Sequence, residues 1–220
     1  IDGEFIGDMS GYYIDLSGNG NVIAISAFLN NGNGTNSGHV RVFEYNGSSW
    51  VQLGQDIDGE SAYNYSGHSV SLSGDGQKVA IGTLQQSGGA LIDDGNVRIF
   101  ENISGSWIQI GNDINGEAAG DMSGCSVSLS DNGNVVAIGS YENDGNGLNA
   151  GHVRIYQNIG GSWFQVGQDI DGEFSGDMSG YSVSLSANGN TVAIGAPQND
   201  GNGSNAGHVR IYENTGGSWS

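Results

Sequence analysis

Short runs of alternating apolar and polar residues recur along the whole chain. In the fourth quarter, apolar side chains alternate with serines over 182–186, and a second alternating run, 191–196, follows after an Asn-Gly pair. This arrangement predicts a β-hairpin. A polar loop then leads to a third run at 208–212, and in complete copies a fourth begins at a Ser-Trp pair. Because no stretch shows the 3.6-residue period of a helix, the pattern predicts an all-β chain.

The same pattern occurs four times. Each copy opens with Ile-Asp-Gly-Glu or Ile-Asn-Gly-Glu and carries one arginine and one tryptophan at matching positions. The openings begin at Ile1, Ile57, Ile114 and Ile170. We therefore predict a single repeat domain over 1–220. Its repeats are 1–56, 57–113, 114–169 and an incomplete 170–220.

Each predicted hairpin separates large from small side chains. Val183 and Leu185 project to one face, whereas Ser182 and Ser184 project to the other. Such sheets can stack with the bulky face of one against the thin face of the next. Four strands per repeat are typical of a propeller blade. We therefore predict a β-propeller-like array of four four-stranded antiparallel blades; a β-solenoid is the alternative, although its repeats are usually shorter.

The strand sequences resemble a known repeat family. Segments 179–186, 192–197, 207–212 and 217–219 are similar to the FG-GAP type of propeller repeat, in its bacterial and algal variant. The resemblance implies a secreted or cell-surface binding and adhesion module. The sequence departs from the family pattern in two ways. Serine replaces the phenylalanine of the Phe-Gly pair in every copy, and Gly-Ala-Pro is complete only in the fourth repeat.

The charge balance excludes several functions. The 220 residues include 24 Asp and Glu but only 5 Lys and Arg, for a formal net charge of -19. Since five cations cannot build a long basic patch, we expect no nucleic-acid binding. No apolar run approaches the ~20 residues that span a bilayer, so we also expect no membrane insertion. The single cysteine, Cys125, permits no intrachain disulfide.

Calcium is the one cofactor that the sequence suggests, and none is certain. The family resemblance implies an Asp-rich calcium site between the first two strands of a blade. Those loops hold at most one carboxylate here, so we predict that this site is lost. A longer Asn- and Gly-rich loop before the third strand offers other candidate metal ligands. They are Asp144, Asn146, Asn149, Asp200, Asn202 and Asn205. The favoured alternative is that these residues only satisfy left-handed turn geometry.

Each repeat has one arginine in the middle of a strand and one glutamate near the start of the repeat. A buried arginine needs a partner. We therefore predict four equivalent structural ion pairs, between blades or along blade edges. The arginines are Arg41, Arg98, Arg154 and Arg210, and the glutamates are Glu4, Glu60, Glu117 and Glu173.

No residue set points to catalysis. Paired carboxylates serve in glycoside hydrolysis. However, the same pair recurs in every repeat, whereas an active site needs one asymmetric set. His39, His152 and His208 occupy equivalent strand ends, and the second repeat gains only Asp93 and Asp94. Nucleophile-elbow, Walker and paired-cysteine motifs are absent from the sequence. We therefore predict no catalytic residue and no enzymatic activity.

One position varies between the copies, directly after a Ser-Gly step. It holds Tyr12, His68, Cys125 and Tyr181. With aromatic residues near loop ends, such as Tyr141, these side chains could form a surface suited to sugar rings. The candidate ligand-binding residues are therefore Tyr12, His68, Tyr181 and Tyr141. The alternative is that the aromatic residues only fill the blade interfaces.

The ends of the chain suggest a piece of a longer array, because the sequence starts without Met and stops at the fourth strand of the last repeat. An open sheet edge invites pairing, so neighbouring repeats or identical chains are the expected partners, with cell-surface glycans as further candidates. We predict an extracellular, non-enzymatic structural or adhesive module of a cell-surface or filamentous assembly. A lectin-like carbohydrate-binding propeller, with or without calcium, is the alternative.

Overall fold

The computed structural model describes residues 1–84 and 94–220, and within these ranges the chain is built from strands, turns and loops. Asp93, one of the acids gained by the second repeat, lies outside the described residues. In the described part we find no helix with the length and apolar character to cross a membrane.

The strands form four antiparallel sheets, one per repeat. The first contains β1 (Ile14–Leu16), β2 (Val22–Ala27), β3 (His39–Tyr45) and β4 (Trp50–Gln52), with β5 (Ile57–Asp58) also on β3. The second contains β6 (Ser66–Leu72), β7 (Lys78–Thr83), β8 (Asn96–Ile103) and β9 (Ser106–Gln109), with β10 (Ile114–Asn115) also on β8. The third contains β11 (Ser126–Leu129), β12 (Val135–Ser140), β13 (His152–Ile159) and β14 (Ser162–Gln165), with β15 (Ile170–Asp171) also on β13. The fourth contains β16 (Ser182–Leu185), β17 (Thr191–Ala196), β18 (His208–Thr215) and β19 (Ser218–Trp219). The predicted all-β array of four blades is confirmed.

The first two residues of each later repeat belong to the sheet of the repeat before. Ile57 pairs with Val40, and Asp58 pairs with His39. The short strands β10 and β15 pair in the same way with the preceding third strand. The chain therefore enters a new blade only after adding a strand to the old one, which ties neighbouring blades through the backbone.

The hydrophobic cores lie between blades. Val79 and Ile81 of β7 are fully buried and pack toward the first blade, together with Val40 and Val42. Ala80, the small residue between them, packs in the cluster shared with the third blade. This arrangement follows from the alternation of large and small side chains. Burying each branched side chain contributes about 1.5–3 kcal/mol.

A chain of backbone hydrogen bonds links the turns between the first and second strands. The amide of Gly18 donates to the carbonyl of Gly74 over 2.8 Å, and the amide of Gly74 donates to Asp131 over 2.8 Å. The amide of Asp131 then donates to Ala187 over 2.9 Å. The first strands of consecutive blades also contact one another. They therefore form the inner side of the array, and the bonds fix the register between blades.

The tryptophans recur at matching positions of the repeats for a structural reason. The indole Nε1 of Trp107 donates to the carbonyl of Leu53 in the first repeat over 2.7 Å. Trp163 and Trp219 make the same bond to the repeat before each of them. Each of these indoles thus links the outer strand of its blade to the preceding blade by a hydrogen bond.

Each end of the array leaves one sheet face uncovered. On the first blade, Ile14 and Leu16 are 60% and 51% exposed, and we call this pair the leading face. On the fourth blade, Val209 and Ile211 are 67% and 68% exposed, and we call this pair the trailing face. Since neither face covers the other, the four blades form an open array.

Candidate ligand site

An aromatic cluster lies at one end of the inner strands. The variable position after the Ser-Gly step falls at or just before the first strand of each blade, so its side chains emerge at the same end. We define the aromatic cluster as Tyr12, Tyr13, Phe28, Tyr65, His68, Tyr141 and Tyr181. Cys125 holds the remaining copy of the variable position and is buried.

The rings of the first two blades pack edge to face and at tilted angles. The centroid of Tyr12 lies 4.5 Å from that of Phe28, and the centroid of Tyr13 lies 5.4 Å from that of His68. Phe28 in turn lies 6.5 Å from Tyr65. These geometries are those that aromatic pairs prefer. The part of the cluster on these blades is therefore one continuous aromatic surface.

The third and fourth blades contribute a second part of the cluster. The rings of Tyr141 and Tyr181 lie 5.4 Å apart. Between the two parts lies Cys125, whose Sγ is 3.2 Å from the carbonyl oxygen of Gly139. The pKa of Tyr13 is raised by partial burial and then by the nearby Tyr12, Cys125 and Tyr181.

The cluster presents neutral groups. Burial raises the pKa of Tyr141 to about 12, with Glu142 adding to the effect, and burial raises the pKa of Cys125 to about 11. Burial lowers the pKa of His68, although a hydrogen bond with the backbone of Cys125 partly opposes this. At neutral pH these groups are uncharged. An exposed aromatic surface edged by neutral hydroxyl and imidazole groups is suited to an uncharged polar ligand.

The second repeat holds two tyrosines in left-handed backbone conformations. Tyr63 has φ 65° and Tyr65 has φ 53°. The third repeat has Gly120 and Met122 at these positions, and Met122 shares the positive φ of Tyr65, at 55°. A bulky residue with positive φ is costly, and such strain clusters at functional sites. Only Tyr65 enters the aromatic cluster, where it lies against Phe28.

The structure brings the four predicted ligand-binding residues to one end of the array. Tyr12 and His68 both lie against Phe28, and Tyr141 lies against Tyr181. Sequence reasoning did not select Tyr13 or Tyr65. A signal for Tyr65 was present, because the second repeat reads Tyr-Asn-Tyr-Ser where the other three read Gly-Asp-Met-Ser.

The candidate calcium loops use their side chains for the loop itself. Asp144 Oδ1 accepts a 2.8 Å hydrogen bond from the amide of Asn149, and Asp200 Oδ1 accepts the equivalent bond from Asn205 over 2.7 Å. Asn146 Nδ2 donates to the carbonyl of Gly172 over 2.7 Å. Asn202 is exposed in the same loop as Asp200, and both Asn149 and Asn205 have positive φ. This geometry favours the turn interpretation and leaves few free oxygens for a cation that takes six to eight.

A buried carboxylate anchors each of these loops. Asp121 is buried, and its Oδ2 accepts a 3.1 Å hydrogen bond from Asn143 Nδ2. Asp8 with Asn30, and Asp177 with Asn199, form the same pair over 2.8 Å. Asp8, Asp121 and Asp177 therefore have a structural role.

Two other groups could hold a metal ion. They are Glu4, His39 and Asp56 in the first blade, and Glu117, His152 and Asp169 in the third. One imidazole nitrogen with two carboxylates is a donor set for transition metals rather than for calcium. In the second blade Asn96 replaces the histidine, and its Nδ2 donates to Asp113 over 3.1 Å. The carboxylates of Glu4 and Glu117 also lie beside arginines, which lowers their availability to a cation.

Three of the four predicted arginine–glutamate pairs lie within ion-pair distance. Their nitrogen–oxygen distances are 3.5 Å for Arg41–Glu4, 3.9 Å for Arg98–Glu60 and 3.6 Å for Arg154–Glu117. In the fourth repeat, Arg210 donates to the backbone oxygen of Asp171 and to Ser179 Oγ. Glu173 lies 3.6 Å from His208 Nδ1, and this histidine is more exposed than its equivalents.

Each arginine also lies over an aromatic ring two residues further along its strand. The guanidinium carbon of Arg98 is 5.3 Å from the ring centroid of Phe100, and that of Arg154 is 5.7 Å from Tyr156. Arg41 and Arg210 make the same contact. Cation–π contact thus adds to the ion pairs in holding these buried charges.

Comparison with known proteins confirms the family resemblance. The family model described as FG-GAP repeat matches residues 115–156 and 170–212. No curated protein matches the chain. Among solved structures, similar folds occur in a candidate 6-phosphogluconolactonase of Bacteroides uniformis, with TM-score 0.63, 15% identity and coverage of 94% of this chain and 52% of that one. The periplasmic gluconolactonase of Pseudomonas aeruginosa follows, with TM-score 0.61, 13% identity and coverage of 95% and 55%. Hydrazine synthase of Kuenenia stuttgartiensis has TM-score 0.57, 13% identity and coverage of 100% and 51%. The chain spans about half the length of each.

The prediction of no enzymatic activity is contradicted by these neighbours. Two of them are named as lactonases, so this fold carries enzymes. The prediction rested on the recurrence of the same carboxylates and histidines in the repeats and on the absence of known catalytic motifs from the sequence. One end of the array is nevertheless asymmetric, since the variable position holds tyrosine, histidine, cysteine and tyrosine in the four blades. At 13–15% identity the likeness shows the fold and assigns no reaction.

Proposed function

We propose that this chain, which is built from FG-GAP repeats, is an extracellular adhesion module that binds a neutral carbohydrate through the aromatic cluster. The observation that carries the proposal is the contact of Tyr65 with Phe28, at a position where the other repeats have methionine. Met9, Met122 and Met178 have the same left-handed backbone conformation as Tyr65, so the aromatic side chain, and not the backbone, sets the second repeat apart.

The chemistry of the cluster supports a sugar. Tyr12 and Tyr181 are exposed and offer ring faces on which a pyranose can stack. Tyrosine hydroxyls and the neutral imidazole of His68 can exchange hydrogen bonds with sugar hydroxyls. These are the contacts that a polyol needs.

The charge of the chain supports a neutral sugar rather than an acidic one. With a formal net charge of -19, the protein repels anionic polymers at low and moderate ionic strength. The cluster itself contains no arginine or lysine that could pair with a carboxylate or sulfate. We therefore exclude uronic, sialic and sulfated sugars from the proposal.

Binding is tested on the purified 220-residue chain with a panel of neutral and acidic oligosaccharides, followed by calorimetry on the hits. We expect neutral sugars to bind and Tyr65→Met to weaken binding about tenfold, which corresponds to 1.4 kcal/mol. Methionine is the residue of the other repeats, so the backbone accepts it. Tyr45→Met changes an exposed tyrosine away from the cluster and serves as the matched control. Equal effects of the two variants, or no binding of any neutral sugar, would refute the proposal.

Two further arms resolve the alternatives. A chelator is added to the binding reaction, and we expect no change, because the loops with candidate calcium ligands use their side chains internally. Sugar lactones are included and followed for ring opening, since two structural neighbours are named as lactonases. If a lactone is hydrolysed and Tyr65→Met abolishes the hydrolysis, the proposed function of the cluster would change from adhesion to catalysis. The extracellular location is tested by labelling intact cells with an antibody against the chain.

A further inference from the structure

The trailing face exposes positions that are buried in every inner blade. Val209 and Ile211 are 67% and 68% exposed, whereas Val153 and Ile155, their equivalents in the third blade, are 0% and 1% exposed. A cavity of about 480 Å³ lies beside them and is lined by Tyr181, Gly195, Pro197, Gly207, His208 and Val209. The fourth blade therefore exposes an apolar surface that, on the third blade, is covered by the blade that follows.

The leading face is the counterpart. Leu16 is 51% exposed, whereas Leu72 and Leu129, at the same position of the second and third blades, are buried. In the inner interfaces this leucine packs with the two apolar residues of the preceding third strand. Leu185, for example, shares a cluster with Val153 and Ile155. The leading face thus carries the type of side chain that covers the equivalent of the trailing face in the inner interfaces.

Ile1 and Asp2 are held in the position of the strands that join neighbouring blades. Arg41 Nη2 donates to the backbone oxygen of Asp2 over 2.7 Å. Arg98 makes the same bond to Asp58 of β5 over 2.8 Å, and Arg154 makes it to Asn115 of β10 over 2.7 Å. Ile1 is exposed, whereas Ile57 at the equivalent position is buried.

The open position for such a strand is the start of β18. In the first three blades, the first two residues of the third strand pair with the short strand that follows. His208 and Val209 are the corresponding residues of the fourth blade, and no short strand of the described residues pairs with them. Adding a strand to an open edge is a recurring mode of recognition.

We infer that a second copy of this chain docks head to tail on the trailing face. Its Ile1 and Asp2 pair with His208 and Val209, and its Ile14 and Leu16 cover Val209 and Ile211. The chain covers 52% and 55% of the length of two structural neighbours, so two copies supply about the length of one of those folds. The same interface used twice closes a dimer without leaving free faces.

A glycine supplies a sharp test of the docking geometry. A Cβ on Gly139 in the third blade would lie 2.0 Å from the carbonyl oxygen of Gly180 in the fourth, so the following blade packs directly on this glycine. At the equivalent Gly195, a Cβ meets only Ser182 of its own blade. In the single chain, Gly195→Ala requires the Ser182 hydroxyl to rotate, since the Cβ would lie 2.4 Å from Ser182 Oγ, and in a docked copy it would also collide with Gly11.

The experiment measures the molar mass of the 220-residue chain by sedimentation over a range of concentrations. We expect a dimer of twice 22.7 kDa. We expect Gly195→Ala, Leu16→Glu and Ile211→Glu each to weaken association at least tenfold while leaving the circular dichroism spectrum unchanged. Ile159→Glu alters an exposed side chain outside both faces and should leave the dimer intact.

Charge complementation distinguishes head-to-tail docking from other dimers. A chain with both Leu16→Glu and Ile211→Lys should regain association, since each interface then opposes a carboxylate and an ammonium group. A dimer that survives either single variant would overturn the inference. A folded monomer at all concentrations would also overturn it and would leave further repeats of a longer polypeptide as the occupant of the trailing face.

Discussion

Arg98 reaches from the second blade to the backbone oxygen of Asp58, a residue in the sheet of the first blade, over 2.8 Å. Its guanidinium also lies 3.9 Å from Glu60 and 5.3 Å from the ring centroid of Phe100. Because the equivalent arginines make the same backbone contact, one side chain per repeat fastens the joining strand in place. Three of the five basic residues of this acidic chain have this role, and Arg41 makes the same contact with Asp2.

Loss of this arginine–backbone hydrogen bond should destabilise an inner blade more than the last one. We expect Arg154→Met to lower the free energy of unfolding by about 1–3 kcal/mol, because the carbonyl of Asn115 and the carboxylate of Glu117 lose a buried partner. Arg210→Met should cost less, because Arg210 is more exposed than Arg154. Urea denaturation of both variants checks this, and equal losses would contradict it.

Relief of backbone strain should stabilise the second repeat. We expect Tyr63→Gly to raise the free energy of unfolding by about 1 kcal/mol, since glycine adopts a φ of 65° at little cost. Tyr45→Gly, in strand β3, should lower stability instead, because glycine weakens a strand. Thermal denaturation of the two variants side by side provides the measurement. A loss of stability in Tyr63→Gly would show that the side chain contributes more than its strain costs.

Close packing between the third and fourth blades should make Gly139 sensitive to substitution. Gly139→Ala places a Cβ 2.0 Å from the backbone of the fourth blade, so we expect a loss of about 1–3 kcal/mol. Gly160→Ala is the control, because its Cβ meets nothing within 4 Å and only the strain of φ 62° is added. Denaturation curves should rank Gly139→Ala as the more damaging change. The reverse order would mean that the blades adjust to each other freely.

Stability should fall at alkaline pH through Cys125. Burial raises the thiol pKa from 9.0 to about 11, so between these values the folded chain holds a proton that the unfolded chain releases. Stability from this group is therefore present below pH 9 and is lost as the pH rises to about 11, by roughly 3 kcal/mol. Cys125→Ser should flatten this part of the stability profile. A profile that stays parallel to that of the parent chain would assign the loss to other groups.

The repeat pattern predicted most of the fold, because alternation of large and small residues decides which sheet faces meet. It did not predict that Ile57 and Asp58 join the preceding sheet, since two residues are too short to show a period. The pairing of Arg41 with Glu4 agrees with the prediction, whereas Glu173 lies beside His208 instead of Arg210. That choice depends on the local exposure of His208, which the sequence does not encode.

The aromatic cluster was only partly predictable for a similar reason. Variation at Tyr12 and His68 marked a position that the architecture leaves free. Phe28 and Tyr13 reach His68 only because the blades stack, and this contact between distant parts of the chain has no local signal. The left-handed tyrosines of the second repeat were visible as a departure from Gly-Asp-Met, but their conformation required the structure.

The short strand that each repeat adds to the blade before it also determines how the array responds to force. A pull on the chain ends must peel such a strand from its neighbour before the next blade can open, so blades are released in sequence rather than together. Insertion or loss of whole repeats preserves this connection, whereas a break within a repeat leaves one blade without its edge. Growth and shortening of such arrays in evolution should therefore proceed in steps of one complete repeat.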